Sequence, residues 1–318
     1  IIELMFMEAL SVHSLKGIWA TLLLPVNQDD SIDFSCFQSQ LDGLVNTGVD
    51  GIYSNGTAAE FFNQTEDEFD RIQQLIAERC TRSNIPFQVG ACHMSPIISI
   101  ERIKRSKYLN PCAFQVIFPD WLPLTAEEQV FFLISIAEAA DPIPLVLYNP
   151  GHSKTKLIPK DFSRLRKEVH SLIGVKVAAK DQEWFNAMKG HGQGLSVFIQ
   201  GHRLATGIKE GVAAGSYSNI ACFNPIGAVA WYRLMLEDIE EACVIEQSIA
   251  AFFETCIFPF AKAGYSDPAL DKLLAFAGGW SSISTRLRSP YKGVSEQDAM
   301  EVRQRAKEML PELITRCV

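Results

Sequence analysis

The chain has 318 residues, 47% hydrophobic and 21% charged, an ordinary globular composition with enough apolar surface for one large core or two modest ones. Its formal net charge is −8 and it holds no long basic block, which excludes the electrostatic footprint that nucleic acid or an anionic membrane requires. Eight cysteines (Cys36, Cys80, Cys92, Cys112, Cys222, Cys243, Cys256, Cys317) are scattered without a CxxC pair, several inside apolar runs, so a reducing cytoplasm is expected and a disulfide framework is not.

The opening IIELMFMEAL is apolar but has no basic n-region and is too short to span a bilayer, so residues 1–15 read as a loose N-terminal arm and not as a signal peptide or anchor. From residue 17 onward, short β-branched runs alternate with longer amphipathic ones, the pattern of parallel βα units. The strand candidates are GIWATLLLP (17–25), GIYSNG (51–56), PFQVGAC (86–92), CAFQVIF (112–118), PLVLYN (144–149), LIGVKVA (172–178), LSVFIQG (195–201) and SYSNIAC (216–222). Thr65 with Glu68 and Thr125 with Glu128 have capping-box spacing ahead of two of the intervening helices.

Eight strands with seven intervening helices predict a (β/α)8 TIM barrel over residues 16–235; no GxGxxG follows the first strand, as an open dinucleotide-binding sheet would require. Residues 223–318 show only helical periodicity and supply the eighth helix and a C-terminal helical domain over 236–318, with the last long helix opened by Ser295. GGWSSISTRLRSPYKG (278–293) reads as a connector.

In such a barrel, chemistry belongs to the C-terminal strand ends. Strand alternation puts Gly174, Lys176 and Ala178 inside and Ile173, Val175 and Val177 against the helices. A lysine so placed loses solvation, its pKa falls, and a neutral amine able to attack a carbonyl results. The same strand is equally compatible with a lysine held in a structural ion pair. Tyr148 shares parity with Val146 and points inward one strand away; by itself it fits a packed ring with one hydrogen bond, and beside Lys176 it fits a proton relay.

GTAAEF after the second strand, LYNP at the fifth and GVK in the sixth, in this order, resemble the dihydrodipicolinate synthase and N-acetylneuraminate lyase superfamily over about residues 15–315. That resemblance implies a (β/α)8 barrel with a C-terminal helical domain, commonly tetrameric, that forms a Schiff base with pyruvate or another 2-oxo acid. By motif it makes Lys176 the Schiff-base lysine, Tyr148 the catalytic tyrosine, and Thr57 with the Ala58 amide the cradle for the 2-oxo-acid carboxylate. Inward-turned backbone N–H groups bind an anion without a basic side chain, which agrees with that assignment. Alanine at 59 stands where the family usually has glycine.

Two positions depart from the synthase. Its loop after strand four normally ends the proton relay with a tyrosine, where FPDWLP places Trp121, and indole cannot shuttle a proton at neutral pH. Its arginine for the second substrate's carboxylate is absent from YNPGHSKTK, which offers His152, Lys154 and Lys156 instead. Strand seven ends with Gly201 and His202, where sialic acid lyases tend to carry an acidic residue. Asn149 completes the expected pocket with these residues, and Tyr217, inside strand eight, fits closing it against the substrate or packing in the barrel equally well.

The expected activity is therefore a lyase of the class I aldolase or dehydratase type, acting on a 2-oxo acid and a possible second aldehyde or sugar acid. The remaining alternatives are a catalytically silent barrel that binds a small acid as sensor or scaffold, and a phosphosugar isomerase. The imine is its own electron sink, so no cofactor is expected. The six histidines show no metal-ligand spacing, so no metal is expected either. A homo-oligomer, dimer or tetramer, is implied by the resemblance; neither nucleic acid nor membrane is an expected partner.

Overall fold

The protein is described by a computed structural model covering residues 8–315. Eight parallel strands close in chain order into a barrel. They are β1 (Gly17–Thr21), β2 (Gly51–Tyr53), β3 (Phe87–Gly90), β4 (Ala113–Val116), β5 (Leu145–Asn149), β6 (Leu172–Val177), β7 (Ser196–Phe198) and β8 (Gly215–Tyr217). The helices between them are α1 (Phe34–Leu44), α2 (Glu66–Ser83), α3 (Pro96–Ser106), α4 (Ala126–Ala140), α5 (Pro159–Glu168), α6 (Gln182–His191) and α7 (Leu204–Lys209). Seven helices follow β8: α8 (Asn219–Phe223), α9 (Pro225–Glu237), α10 (Ile239–Phe252), α11 (Phe258–Lys262), α12 (Asp267–Gly278), α13 (Glu296–Met309) and α14 (Pro311–Thr315).

Both expected capping boxes form: Thr65 Oγ1 accepts from Glu68 N at 3.2 Å while Glu68 Oε2 accepts from Thr65 N at 2.9 Å, and Thr125 and Glu128 repeat this at 3.3 and 2.7 Å. The strands are shorter than the apolar runs that announce them, because every run but the fifth continues past its strand into the loop that builds the rim. The eighth run shows this most strongly. Ser218 Oγ accepts from Ala221 N at 3.1 Å and caps α8, so residues 219–222 are helical and not strand.

Two layers of core surround the strands. Ile52, Val89, Phe114, Leu145, Leu147, Val175 and Val177 pack outward against the helices. Trp19, Tyr53, Val146, Phe198 and Tyr217 fill the interior, where full burial of a large apolar side chain contributes on the order of 1.5–3 kcal/mol. Ile173 departs from the expected alternation: the ladder to β5 shifts between Leu172 and Gly174, leaving Ile173 as the extra residue, and it joins the interior layer. The parity of Lys176 is unaffected, since it lies beyond the bulge and pairs with Tyr148.

Residues 8–15 are not a loose arm. Leu10 N donates to Cys112 O at 3.0 Å and Leu15 is fully buried beneath the barrel. A Cβ at Gly174 would stand 2.7 Å from Leu15 Cδ2, so glycine there leaves room for this plug. Residues 1–7 and Cys317 lie outside the described residues. Ile239–Lys262 is long and apolar enough to cross a bilayer by length and composition, with mean hydropathy 1.3. Here its inner face, Ile245, Ile249 and Phe252, is buried, and Thr206 N donates to Glu246 at 3.0 Å.

The connector over 278–293 does more than join helices. Arg288 donates to Glu68 at 2.6 and 2.7 Å and to Asn63 O at 2.8 Å, clasping the start of α2. Beside it, Lys272 Nζ of α12 meets Glu60 Oε1 at 2.7 Å with both side chains fully buried. Arg288 N donates to the second Glu60 oxygen at 3.1 Å, and Lys272 also donates to Arg286 O. Burial holds the Lys272 ammonium below its usual range, and Glu60 opposes that shift. Lys272→Met leaves the Glu60 carboxylate buried and unpaired, which is expected to destabilise the protein by about 3–5 kcal/mol in denaturant unfolding. Glu60→Gln combined with Lys272→Met should recover part of that loss, and a single variant as stable as the parent contradicts the assignment.

Candidate active site

The C-terminal strand ends open into a cavity of about 440 Å³. Lys176 reaches it from β6 and Tyr148 from β5, side by side in register. Lys176 Nζ lies 4.1 Å from the centre of the Tyr148 ring, 5.1 Å from that of Tyr53 and 5.3 Å from that of Tyr217. Two of these tyrosines are held from below: Tyr53 donates to Gln115 Oε1, and Tyr217 donates to Gln88 Oε1 at 2.6 Å. Among the described residues Lys176 forms no ion pair with a carboxylate, which removes the structural ion pair as its explanation. Burial brings its pKa down to about 8, with Asp271 and other nearby acidic groups opposing the shift.

The turn after β2 supplies the opposite wall. Thr57 Oγ1 donates to the Tyr148 hydroxyl at 3.2 Å. Burial pushes the Tyr148 pKa up, against the hydrogen bond from Thr57, so the phenol stays protonated near neutrality. Thr57–Ala59 form one 3-10 turn; Ala59 N and Glu60 N bond back to Gly56 O and Thr57 O at 3.0 and 2.9 Å. The Thr57 and Ala58 N–H groups make no such bond among the described residues, and both residues border the cavity. Ala59 needs no special backbone angle here, because the left-handed residue is Glu60, with φ 51°. Its buried ion pair with Lys272 holds that conformation.

His152, His202 and Tyr217 also border the cavity. His202 stacks on Phe253 with ring centres 4.5 Å apart, and its Nδ1 is 2.8 Å from Asn219 Nδ2. Burial, with Arg203 adding to it, takes its pKa down to about 4, so the imidazole is neutral. Four residues expected in the pocket do not border it. Trp121 is 80% exposed on the loop after β4, and Lys154 sits against it, Nζ 5.0 Å from the ring centre and 3.3 Å from Trp121 O. Asn149 turns the other way and braces its own loop, donating to Thr155 O at 2.8 Å and accepting from Leu157 N at 3.2 Å. Gly201 lies behind the wall, where a Cβ would come within 2.6 Å of Ser218 Oγ.

The largest omission of the sequence reading is α12. Asp267 and Asp271, one turn apart, face the same cavity as Lys176. His152 Nδ1 lies 3.1 Å from Asp267 Oδ2, and this contact holds the Asp267 carboxyl below its usual range. Burial, reinforced by Asp267 and opposed by Lys176, pushes Asp271 up to about 7. The spacing of two aspartates four residues apart in SDPALDKLLAF was the available signal. Among the described residues, no group of three or more His, Cys, Asp or Glu side chains has the arrangement of a metal site.

Similarity to known proteins agrees with this fold. A 4-hydroxy-tetrahydrodipicolinate synthase of Phocaeicola vulgatus is 30% identical over 166 residues, 52% of this chain and 55% of that enzyme, so the chain spans about half the length of that relative. An uncharacterized DapA-like lyase of Thermococcus kodakarensis is 26% identical over 310 residues, 94% of this chain and 100% of that protein. Among solved structures, the sialic acid aldolase of Ruminococcus gnavus superposes with a TM-score of 0.80 at 17% identity, covering 96% of this chain and 100% of that one. E. coli K12 YagE, in complex with pyruvate, superposes with a TM-score of 0.80 at 19% identity, covering 93% and 98%. The dihydrodipicolinate synthetase family model matches residues 14–309, from the plug beneath the barrel to the end of α13, and the chain belongs to that family.

Proposed function

We propose that the protein is a Schiff-base-forming lyase that acts on pyruvate or another 2-oxo acid, by aldol addition or cleavage or by dehydration of a sugar acid. The observation that carries this reading is Lys176: an amine at the cavity floor, free of any carboxylate partner among the described residues and lowered to about 8 by burial. At pH 7 roughly a tenth of such a lysine is neutral, against less than a thousandth of an ordinary one. The Thr57 and Ala58 N–H groups hold the substrate carboxylate in this reading, which aims its C2 carbonyl at Lys176.

Lys176 Nζ attacks C2, Tyr148 passes the proton that the carbinolamine oxygen needs to leave as water, and Thr57 orients the phenol by its 3.2 Å hydrogen bond. The resulting iminium draws electron density from C3, the carbon at which a bond to an aldehyde forms or breaks. The three tyrosine faces favour this cation as they favour the ammonium. The chemistry so described needs neither metal nor organic cofactor. A cytoplasmic homo-oligomer belongs to the same proposal.

Incubation with pyruvate and borohydride is expected to add a reduced pyruvyl group to Lys176, seen by mass spectrometry and lost in Lys176→Ala. An unmodified lysine at saturating pyruvate rejects the proposal, and an adduct without turnover over a panel of aldehydes and sugar acids indicates a binding protein instead. The trapping rate should rise about tenfold per pH unit below 8 and level off above it, because the reactive form is the neutral amine. A rate still climbing beyond pH 10 would mean an unperturbed lysine. Tyr148→Phe keeps the ring over Lys176 but removes the relay, and should slow trapping by roughly 10²- to 10⁴-fold with little change in melting temperature.

A further inference from the structure

The barrel interior beneath Lys176 carries two carboxamides that the chemistry above does not touch. Gln88 of β3 and Gln115 of β4 are both fully buried. Each gives its oxygen to a phenol: Gln88 Oε1 accepts from the Tyr217 hydroxyl at 2.6 Å, and Gln115 Oε1 accepts from the Tyr53 hydroxyl. Neither Nε2 makes a hydrogen bond of ordinary geometry among the described residues. A buried amide left half-paired costs stability, whereas phenylalanine and leucine in place of each tyrosine and glutamine would fill a similar shape without that cost. Packing therefore does not account for this polar layer, and such a departure is expected where function requires a fixed geometry.

The geometry at stake is that of two rings. Tyr53 and Tyr217 pack on each other with ring centres 4.9 Å apart, and Phe198 lies against Tyr217 at 4.8 Å. Lys176 Nζ is 5.1 and 5.3 Å from the centres of the Tyr53 and Tyr217 rings, within the range at which the negative face of an aromatic ring attracts a cation. That attraction depends on which face a ring presents. Each phenol is anchored to a strand that is not its neighbour in the barrel, Tyr53 of β2 to Gln115 of β4 and Tyr217 of β8 to Gln88 of β3, so both ends of each ring are held. We propose that Gln88 and Gln115 are positioning residues that hold these two ring faces toward Lys176 and thereby stabilise its cationic forms, the ammonium of the free protein and the iminium of the substrate adduct. The iminium half rests on the imine reading given above; the ammonium half does not. Lys176 is also faced by Asp267 and Asp271 of α12, Cys92 after β3, Cys222 of α8 and the Tyr148 ring of β5, with His152 and His202 on the same cavity, and all of these stay in place in the variants below.

The sign of the effect separates positioning from a merely structural role. Ring faces favour the ammonium against the desolvation that opposes it, so losing them lowers the titration midpoint of Lys176 further, whereas a loosened core admits water and raises it toward that of an ordinary lysine. The midpoint is read as the pH dependence of Lys176 acetylation by acetic anhydride, followed by peptide mass spectrometry, which needs no 2-oxo acid. Two double variants, Tyr217→Phe with Gln88→Leu and Tyr53→Phe with Gln115→Leu, remove an anchor without leaving either partner buried and unpaired. Each is expected to melt close to the parent and to lower the midpoint by about half a pH unit or more, a threefold change in the neutral fraction. Each should also raise, by about threefold or more, the pyruvate concentration that gives half-maximal borohydride trapping at pH 9. Tyr217→Phe and Tyr53→Phe alone cut the same anchors and carry the test should a double variant not fold. An unchanged or raised midpoint in folded variants overturns the inference. Failure of the wild-type protein to trap pyruvate overturns the imine reading instead, and the acetylation midpoint still decides the positioning role.

Discussion

The arrangement of the cavity depends on the buried contact between Glu60 and Lys272. Glu60 closes the turn after β2 in a left-handed conformation that costs a non-glycine residue roughly 1–2 kcal/mol. Lys272 belongs to α12, 212 residues later in the chain. Desolvating two charges is expensive, and such a pair is weak as a source of stability. Its value lies in position: it sets the turn that carries Thr57 and Ala58 against the helix that carries Asp267 and Asp271, with Lys176 below both. The Arg288 clasp on Glu68 fixes the same junction from outside.

Two physical regimes meet in this cavity. The floor is apolar and aromatic, with three tyrosine faces around one amine, and desolvation there keeps a fraction of Lys176 neutral. The wall contributed by α12 is acidic, and the same desolvation keeps a fraction of Asp271 protonated. Each group partly offsets the other's loss of hydration, so a substitution at either should move the titration of the other. The amine of the floor and the acidic wall are thereby coupled through charge as well as through space.

Much of the floor was legible in the sequence. A strand period of two places Lys176 and Tyr148 inside, Lys176 because it lies beyond the bulge at Ile173, and the two capping boxes mark helix starts through contacts between residues three apart. The misreadings are of a different kind. Ile173 was misplaced because a bulge is a relation between two strands. Residues 219–222 look like strand because β-branched and small residues suit a short capped helix equally well when Ser218 satisfies its first turn. Trp121 and Lys154 were assigned to the pocket by their correspondence to loop positions of the synthase, which does not determine which way a loop turns; together they form a pair at the surface.

The sequence by itself determined the barrel, the inward lysine and tyrosine, and the turn built on Thr57 and Ala58, because each follows from local periodicity or from a motif whose residues are neighbours in the chain. The tertiary structure alone decided which surface closes the cavity. Asp267, Asp271 and Lys272 read as one amphipathic helix among several, and their meaning comes from α12 docking over the rim, opposite a turn some two hundred residues earlier. Desolvation, and with it the pKa of every group in the site, is a property of that enclosure. It is therefore absent from any stretch of sequence taken alone.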